Sequence, residues 1–149
     1  MNKNKILKFF NIAKNASMNS TWHKQKIGSV IVCSNEVLTI GWNSNKETSI
    51  QKKYNRFRNF DCNSFPNYTH AEMDALLKLK KLYNLKTIDF SKVAIFIYRE
   101  RKDTGIALAK PCPACEAAIK SMGIKNVFYT GNGSLINELY LKNKKKLQI

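Results

Sequence analysis

Two short patterns in this chain pair residues that can do chemistry. NYTHAEMDALLKLKK (Asn67 to Lys81) sets His70 and Glu72 two positions apart where an amphipathic pattern begins, and PCPAC (Pro111 to Cys115) sets Cys112 and Cys115 three apart. Imidazole nitrogen and cysteine thiolate are the usual donors to Zn²⁺, and a catalytic zinc takes three protein ligands and keeps one position for water. His70, Cys112 and Cys115 supply that donor count. Glu72 is then the natural group to take a proton from the activated water and return it to a leaving amine. The plainer alternatives are that His70 and Glu72 only cap a helix, or that the metal only holds the fold. A structural site has no need of Glu72.

The elements that must position these residues are legible in outline. Cys112 and Cys115 share one face of a helix start, where the dipole favours thiolate, and Pro111 and Pro113 fix the chain as it enters. The pattern predicts that helix over Pro113–Met122, closed by Gly123. Ala71, Met73, Ala75, Leu76, Leu79 and Leu82 predict another from near Thr69, and a basic-faced helix is expected over Lys3 to Ala16. IGSVIVC and EVLTIGW, separated by Ser34-Asn35, read as an antiparallel hairpin. VAIFIYR (Val93 to Arg99) reads as a buried central strand, followed by a basic excursion, ERKDTGIALAK, and Asn126 to Thr130 as a further strand. Gly131 and Gly133 mark a turn, Ser134 to Leu141 is expected to be a last helix, and the basic tail LKNKKKLQI has room for one edge strand. Asn43 to Tyr68 reads as a long functional loop. This order predicts an α/β fold with a mixed central sheet, an N-terminal hairpin, helices on both faces and right-handed parallel crossovers, within one domain spanning 1–149.

Beyond the motifs themselves, HAE (His70 to Glu72) followed by PCPAC resembles the H-x-E and P-C-x-x-C signature of the zinc-dependent cytidine deaminase superfamily. KIGSVIVCSNEVLTIGWN (Lys26 to Asn43) resembles the opening hairpin of deoxycytidylate and tRNA adenosine deaminases, so the likeness runs from about Lys26 to Thr130. The resemblance implies a three-layer cytidine-deaminase-like fold and one zinc on His70, Cys112 and Cys115, with Glu72 moving protons. It also places Asn43, the Ala71 backbone and Pro111 at the substrate. Histidine rather than cysteine at position 70 sets the chain apart from enzymes of free cytidine. The long segment between Glu72 and Pro111, and Lys110 before PCPAC, depart from the family pattern and bear on substrate choice.

Charge points to polyanions. Twenty-six Lys and Arg against ten Asp and Glu give +16, although only four are Arg and the Asn- and Ile-rich composition also suits an AT-rich coding sequence. QKKYNRFRNFDCNSFPNY interleaves Lys52, Lys53, Arg56 and Arg58 with Tyr54, Phe57, Phe60, Phe65 and Tyr68, an arrangement that grips single strands or else anchors a loop. Arg99 and Arg101 are further phosphate candidates. These features rank hydrolysis of cytosine to uracil in single-stranded DNA or RNA first and deoxycytidylate deamination of a free nucleotide second. Adenosine deamination in tRNA and a non-catalytic zinc-bearing nucleic-acid-binding protein follow. Cys33 is expected to pack in a strand, Cys62 to be a spare thiol, and His23 to be a surface or capping group. No long apolar run marks a leader or membrane span, so a cytoplasmic protein is expected, its oligomeric state open.

Overall fold

The computed structural model describes residues 1–22, 25–58 and 67–140, the last seven of these as backbone only. Alternating apolar residues build the sheet. In β1 (Gln25–Cys33) and β3 (Val93–Arg101), Ile31, Val93, Ile95 and Ile97 face one side, while Val30, Val32, Ala94, Phe96 and Tyr98 face the other. Each face therefore needs its own cover. α1 (Lys3–Ser17) packs Phe9, Phe10 and Ala13 on the second face, where Phe96 stacks on Phe128 with ring centroids 4.6 Å apart. On the first face lie α3 (Ala71–Leu82), through Met73, Leu76 and Leu79, and α4 (Pro113–Met122), through Ala114, Ala118 and Ile119. The three-layer expectation holds.

With β2 at Glu36–Trp42, β5 at Asn126–Gly131 and β6 at Ser134–Tyr140, the strands run in the order β2-β1-β3-β5-β6, and β4 (Gly105–Ala107) pairs with the end of β3. β2 (Glu36–Trp42) and β3 are both antiparallel to β1, and β5 (Asn126–Gly131) is parallel to β3. β2–α3–β3 and β3–α4–β5 are therefore successive crossovers between parallel strands, stepping the same way across the sheet. A crossover helix runs back from the carboxyl end of its strand, so both helices start at one end of the sheet and on one face. That topology brings His70 to Cys112.

Local chemistry explains where the elements stop. Ser34 and Asn35 take φ 48° and 75°, the double left-handed turn that matches strand twist, and the hairpin closes as expected. Gly123, at φ 97°, ends α4. Three expectations are corrected. Ser134–Tyr140 is a strand, β6, antiparallel to β5, because Asn132-Gly133 (Gly133 φ 75°) returns the chain as a hairpin and the edge of β5 takes up its backbone groups. The Asn43 to Tyr68 segment is not all loop: Ser49–Tyr54 forms α2 and Asn55–Arg58 a 3₁₀ turn, anchored by buried Ile50, Gln51 and Asn55. The basic excursion is also ordered, with β3 running on to Arg101 and β4 folding back on it. The basic tail, Cys62 and His23 lie outside the described residues, and Cys33 packs half-buried against the core in β1. Among the described residues no helix is long and apolar enough to cross a membrane.

Two glycines set the layer spacing. A Cβ at Gly28 overlaps the Ala13 carbonyl oxygen of α1 and falls 2.6 Å from Ser17 N; one at Gly41 overlaps the Ala71 carbonyl oxygen and falls 2.5 Å from Ala75 N of α3. Backbone, not a flexible side-chain end, lies in the way. Gly28→Ala and Gly41→Ala are each expected to destabilise the fold by ~2 kcal/mol or more in denaturant titrations. Wild-type midpoints for both variants would show that the helices do not sit this close.

Candidate active site

His70 is the N-cap residue of α3 and Cys112 that of α4, yet neither side chain caps its own helix. The two side chains turn towards each other instead. His70 Nδ1 lies 3.6 Å from Cys112 Sγ and 3.3 Å from Cys115 Sγ, and the three donor atoms are all within 4.8 Å of one another. With zinc–nitrogen near 2.0 Å and zinc–sulfur near 2.3 Å, a tetrahedral ion separates bound N and S by ~3.6 Å. The observed spacing fits one zinc ion, with a fourth corner left over.

Electrostatics at the site favour a dication. The Cys112 thiol is drawn down to about 4, first by its hydrogen bond with Cys115 and, against the cost of burial, by His70. Burial pushes the Cys115 thiol well up, and Cys112 and Glu72 push it further. The sulfurs thus compete for a proton that a metal displaces. Burial opposes charge on His70, but the Cys112 hydrogen bond and the charges of Glu72 and Cys112 outweigh it, so its pKa stands above the ordinary value. Glu72, only 5% exposed in the first turn of α3, is raised by burial, with His70 opposing. A carboxyl so placed can hold a proton and release it.

A buried polar chain keeps His70 in place. The His70 backbone N–H donates to Gln51 Oε1 (3.0 Å), Gln51 Nε2 to Asn55 Oδ1 (2.8 Å), and Asn55 Nδ2 to Asn67 Oδ1 (2.9 Å). Asn67 N then donates to Glu47 Oε1 at 2.9 Å. α2 therefore serves as a bracket for the start of α3. From the sheet, Ser29 Oγ donates to the Ala71 carbonyl (2.8 Å), Thr39 Oγ1 to the Ala75 carbonyl (3.1 Å), and Trp42 N to Asp74 Oδ2 (3.1 Å). Sequence reading missed these groups. Polar residues such as Gln51 and Asn55 carry no local sign of being buried; their spacing, four apart as on one helix face, is the only signal.

The site opens into a cavity of about 340 Å³. His70, Glu72 and Cys112 line it, together with Asn43, Arg58 and Arg99 among the sequence-derived candidates. Asn43 is fixed by β1: its Oδ1 accepts from Ile27 N (3.0 Å) and its Nδ2 donates to the Gln25 carbonyl (3.2 Å), leaving one N–H and one lone pair. Ala71 and Pro111 are buried and are not among the cavity-lining residues, and Cys115 sits behind Cys112. Lys52, Lys53, Arg56 and Arg101 are exposed and stand outside the cavity. Trp22 and Tyr68, in edge contact with ring centroids 5.3 Å apart, form an aromatic part of the wall; Tyr68 is one of the aromatic candidates of the sequence, and Trp22 is not among them.

Residues 3–131 match the cytidine and deoxycytidylate deaminase zinc-binding region. The chain belongs to this deaminase family. Among solved structures it is similar to the dCMP deaminase of cyanophage S-TIM5, at 26% identity over 88% of this chain and 86% of that one, with a TM-score of 0.57. It also shares its fold with the cytidine deaminase of Burkholderia pseudomallei (18% identity, 96% and 95% covered, TM-score 0.63) and that of Mycobacterium tuberculosis (11%, 92% and 90%, TM-score 0.54). No curated protein gives a significant match. The chain is thus an enzyme of the cytidine and deoxycytidylate deaminase type, and zinc is its metal. If α2 brackets the histidine, Gln51→Ala should leave the His70 N–H and Asn55 Oδ1 without their partners, lower stability by about 1–3 kcal/mol and weaken zinc retention against a chelator. Unchanged melting and unchanged zinc retention would remove the bracket from the account.

Proposed function

We propose that this chain hydrolyses the exocyclic amine of cytosine in a free nucleotide of the deoxycytidylate class, as a single deaminase domain. His70 Nδ1, Cys112 Sγ and Cys115 Sγ hold the zinc, and Glu72 carries the proton. The observation that carries this reading is the convergence of those three donor atoms on one point beside a cavity that His70, Cys112 and Glu72 line. Zinc so bound supplies a Lewis acid that brings water towards ionisation near neutral pH.

The protein's own groups do the rest. Glu72 accepts a proton from the attacking water and delivers it to the ring nitrogen as the hydroxyl adds to C4, then passes the proton of that hydroxyl to the amino group, which leaves as ammonia as the C4 carbonyl of uracil forms. Burial of Glu72 keeps bulk water from competing for that proton. Ile97 and Ala109 give the cavity an apolar lining against which a base can lie, and Asn43 offers its remaining N–H and lone pair. The positive dipole end of α3 lies at the zinc ligand His70, its N-cap residue.

The cavity supports reversing the order in which sequence reading ranked the substrates. Four of the six basic candidates stand outside it, and a volume of about 340 Å³ suits one nucleotide rather than a strand. The dCMP deaminase of cyanophage S-TIM5, similar over most of both chains, supports the same choice. Polynucleotide deamination stays as the second reading because of one surface. Lys53 lies over the Tyr54 ring (5.3 Å) and Arg56 over the Phe57 ring (4.8 Å) on the segment that leads to Arg58 in the cavity wall.

Purified protein offered dCMP, deoxycytidine, single-stranded DNA and unstructured RNA is expected to release ammonia fastest from dCMP. Faster conversion within the polymers, with a steep salt dependence, would restore the second reading. Glu72→Gln should lower turnover by roughly 10²- to 10⁴-fold while zinc content stays at wild type, measured by ammonia release and metal analysis. Full activity in that variant would exclude Glu72 as the proton carrier.

A further inference from the structure

Arg58, Arg99 and Lys110 bring cations to the cavity wall, and the proton chemistry uses none of them. Arg99, on β3, is half-buried and lines the cavity beside Glu72. Its Nη1 donates to the Leu108 carbonyl at 3.1 Å and its Nη2 to Gln25 Oε1, while its backbone N–H donates to Thr130 Oγ1 at 3.2 Å. Gln25 thus grips two cavity residues, since its carbonyl also accepts from Asn43 Nδ2. Both side-chain anchors of Arg99 are neutral. Among the described residues no carboxylate lies within ion-pair distance of it, and its Nε is buried without a partner.

A guanidinium has five N–H donors, of which two are engaged here. Burial, then the Arg101 charge, works against its ionised form, and only the Glu72 charge opposes them. A cation held still by uncharged acceptors at a cavity wall is a preorganised receptor for an anion, because its side-chain ordering is complete before the ligand arrives. Lys52, Lys53, Arg56 and Arg101 have no comparable setting; they are exposed.

We propose that Arg99 binds a phosphate on the cytosine-bearing sugar and so makes the enzyme select phosphorylated substrate, with Gln25 as the residue that positions it. The inference rests on the cytosine-deaminase reading and sharpens it. The monoester of a free nucleotide and the diester of a strand offer the same oxygens, so the experiment must separate them.

Zinc-loaded full-length wild type, Arg99→Gln, Arg99→Lys and Gln25→Ala are assayed on dCMP, deoxycytidine and a short single-stranded oligonucleotide holding one cytosine. Binding of dUMP and deoxyuridine is followed by calorimetry, and melting curves check the fold. Wild type is expected to favour dCMP over deoxycytidine. Arg99→Gln should lose roughly 10- to 100-fold in kcat/KM on dCMP, with a parallel loss of dUMP affinity, while deoxycytidine loses far less. Arg99→Lys should recover part of the loss, and Gln25→Ala should raise KM for dCMP with little change in kcat. A selective loss on the oligonucleotide instead of dCMP would keep Arg99 as the phosphate reader and assign the phosphate to a strand. Equal losses on deoxycytidine and dCMP, or a wild type indifferent to the phosphate, would overturn the proposal. Tighter binding of dUMP than deoxyuridine through Arg99, without ammonia release from any substrate, would sink the deaminase reading and leave this one standing.

Discussion

The structure turns on two helix N-termini meeting point to point. An N-cap side chain ordinarily satisfies its own helix, and here the caps of α3 and α4 are a histidine and a cysteine that reach across to each other. Both helix dipoles then present their positive ends to one spot, where two sulfurs and a carboxyl group are gathered. The metal site, the position of Glu72 and the cavity beside them all depend on that meeting. Two crossovers that leave the same end of a mixed sheet in the same direction are what make it geometrically available.

Holding the start of α3 in place falls to groups with no chemistry of their own. Gly41 lets α3 approach the sheet closely, as Gly28 does for α1 on the other face, and Ser29, Thr39 and Asp74 tie α3 to the β1–β2 hairpin. Gln51, Asn55, Asn67 and Glu47 then hold the His70 backbone from the opposite direction. Each of these bonds satisfies a polar group that burial would otherwise leave stranded at a cost of about 1–3 kcal/mol. The fold and the site therefore share their stabilising interactions.

How far the sequence foretold this depends on the range of the cause. Pro113 and Gly123 bound α4 by local backbone chemistry, and Ser34-Asn35 closes the first hairpin in the same way, so both were readable. The H-x-E and C-x-x-C pairs were readable because each keeps its two residues within one helical turn. β6 was mistaken for a helix because a seven-residue segment yields little periodicity, and its conformation is decided by the open edge of β5. α2 escaped notice at six residues, held by buried contacts rather than propensity. The Gln51 bond to His70 spans 19 positions and the Gln25 bond to Arg99 spans 74, distances at which no local pattern reports a contact. Of six basic candidates, only the folded chain shows which two line the cavity.

Zinc-edge X-ray absorption on the purified, zinc-loaded protein tests the central claim most directly. The account predicts a shell of one imidazole nitrogen near ~2.0 Å, two sulfurs near ~2.3 Å and one light oxygen atom, with the sulfur count falling to one in Cys115→Ser. A four-sulfur shell, or a wild-type spectrum without an imidazole contribution, would contradict it.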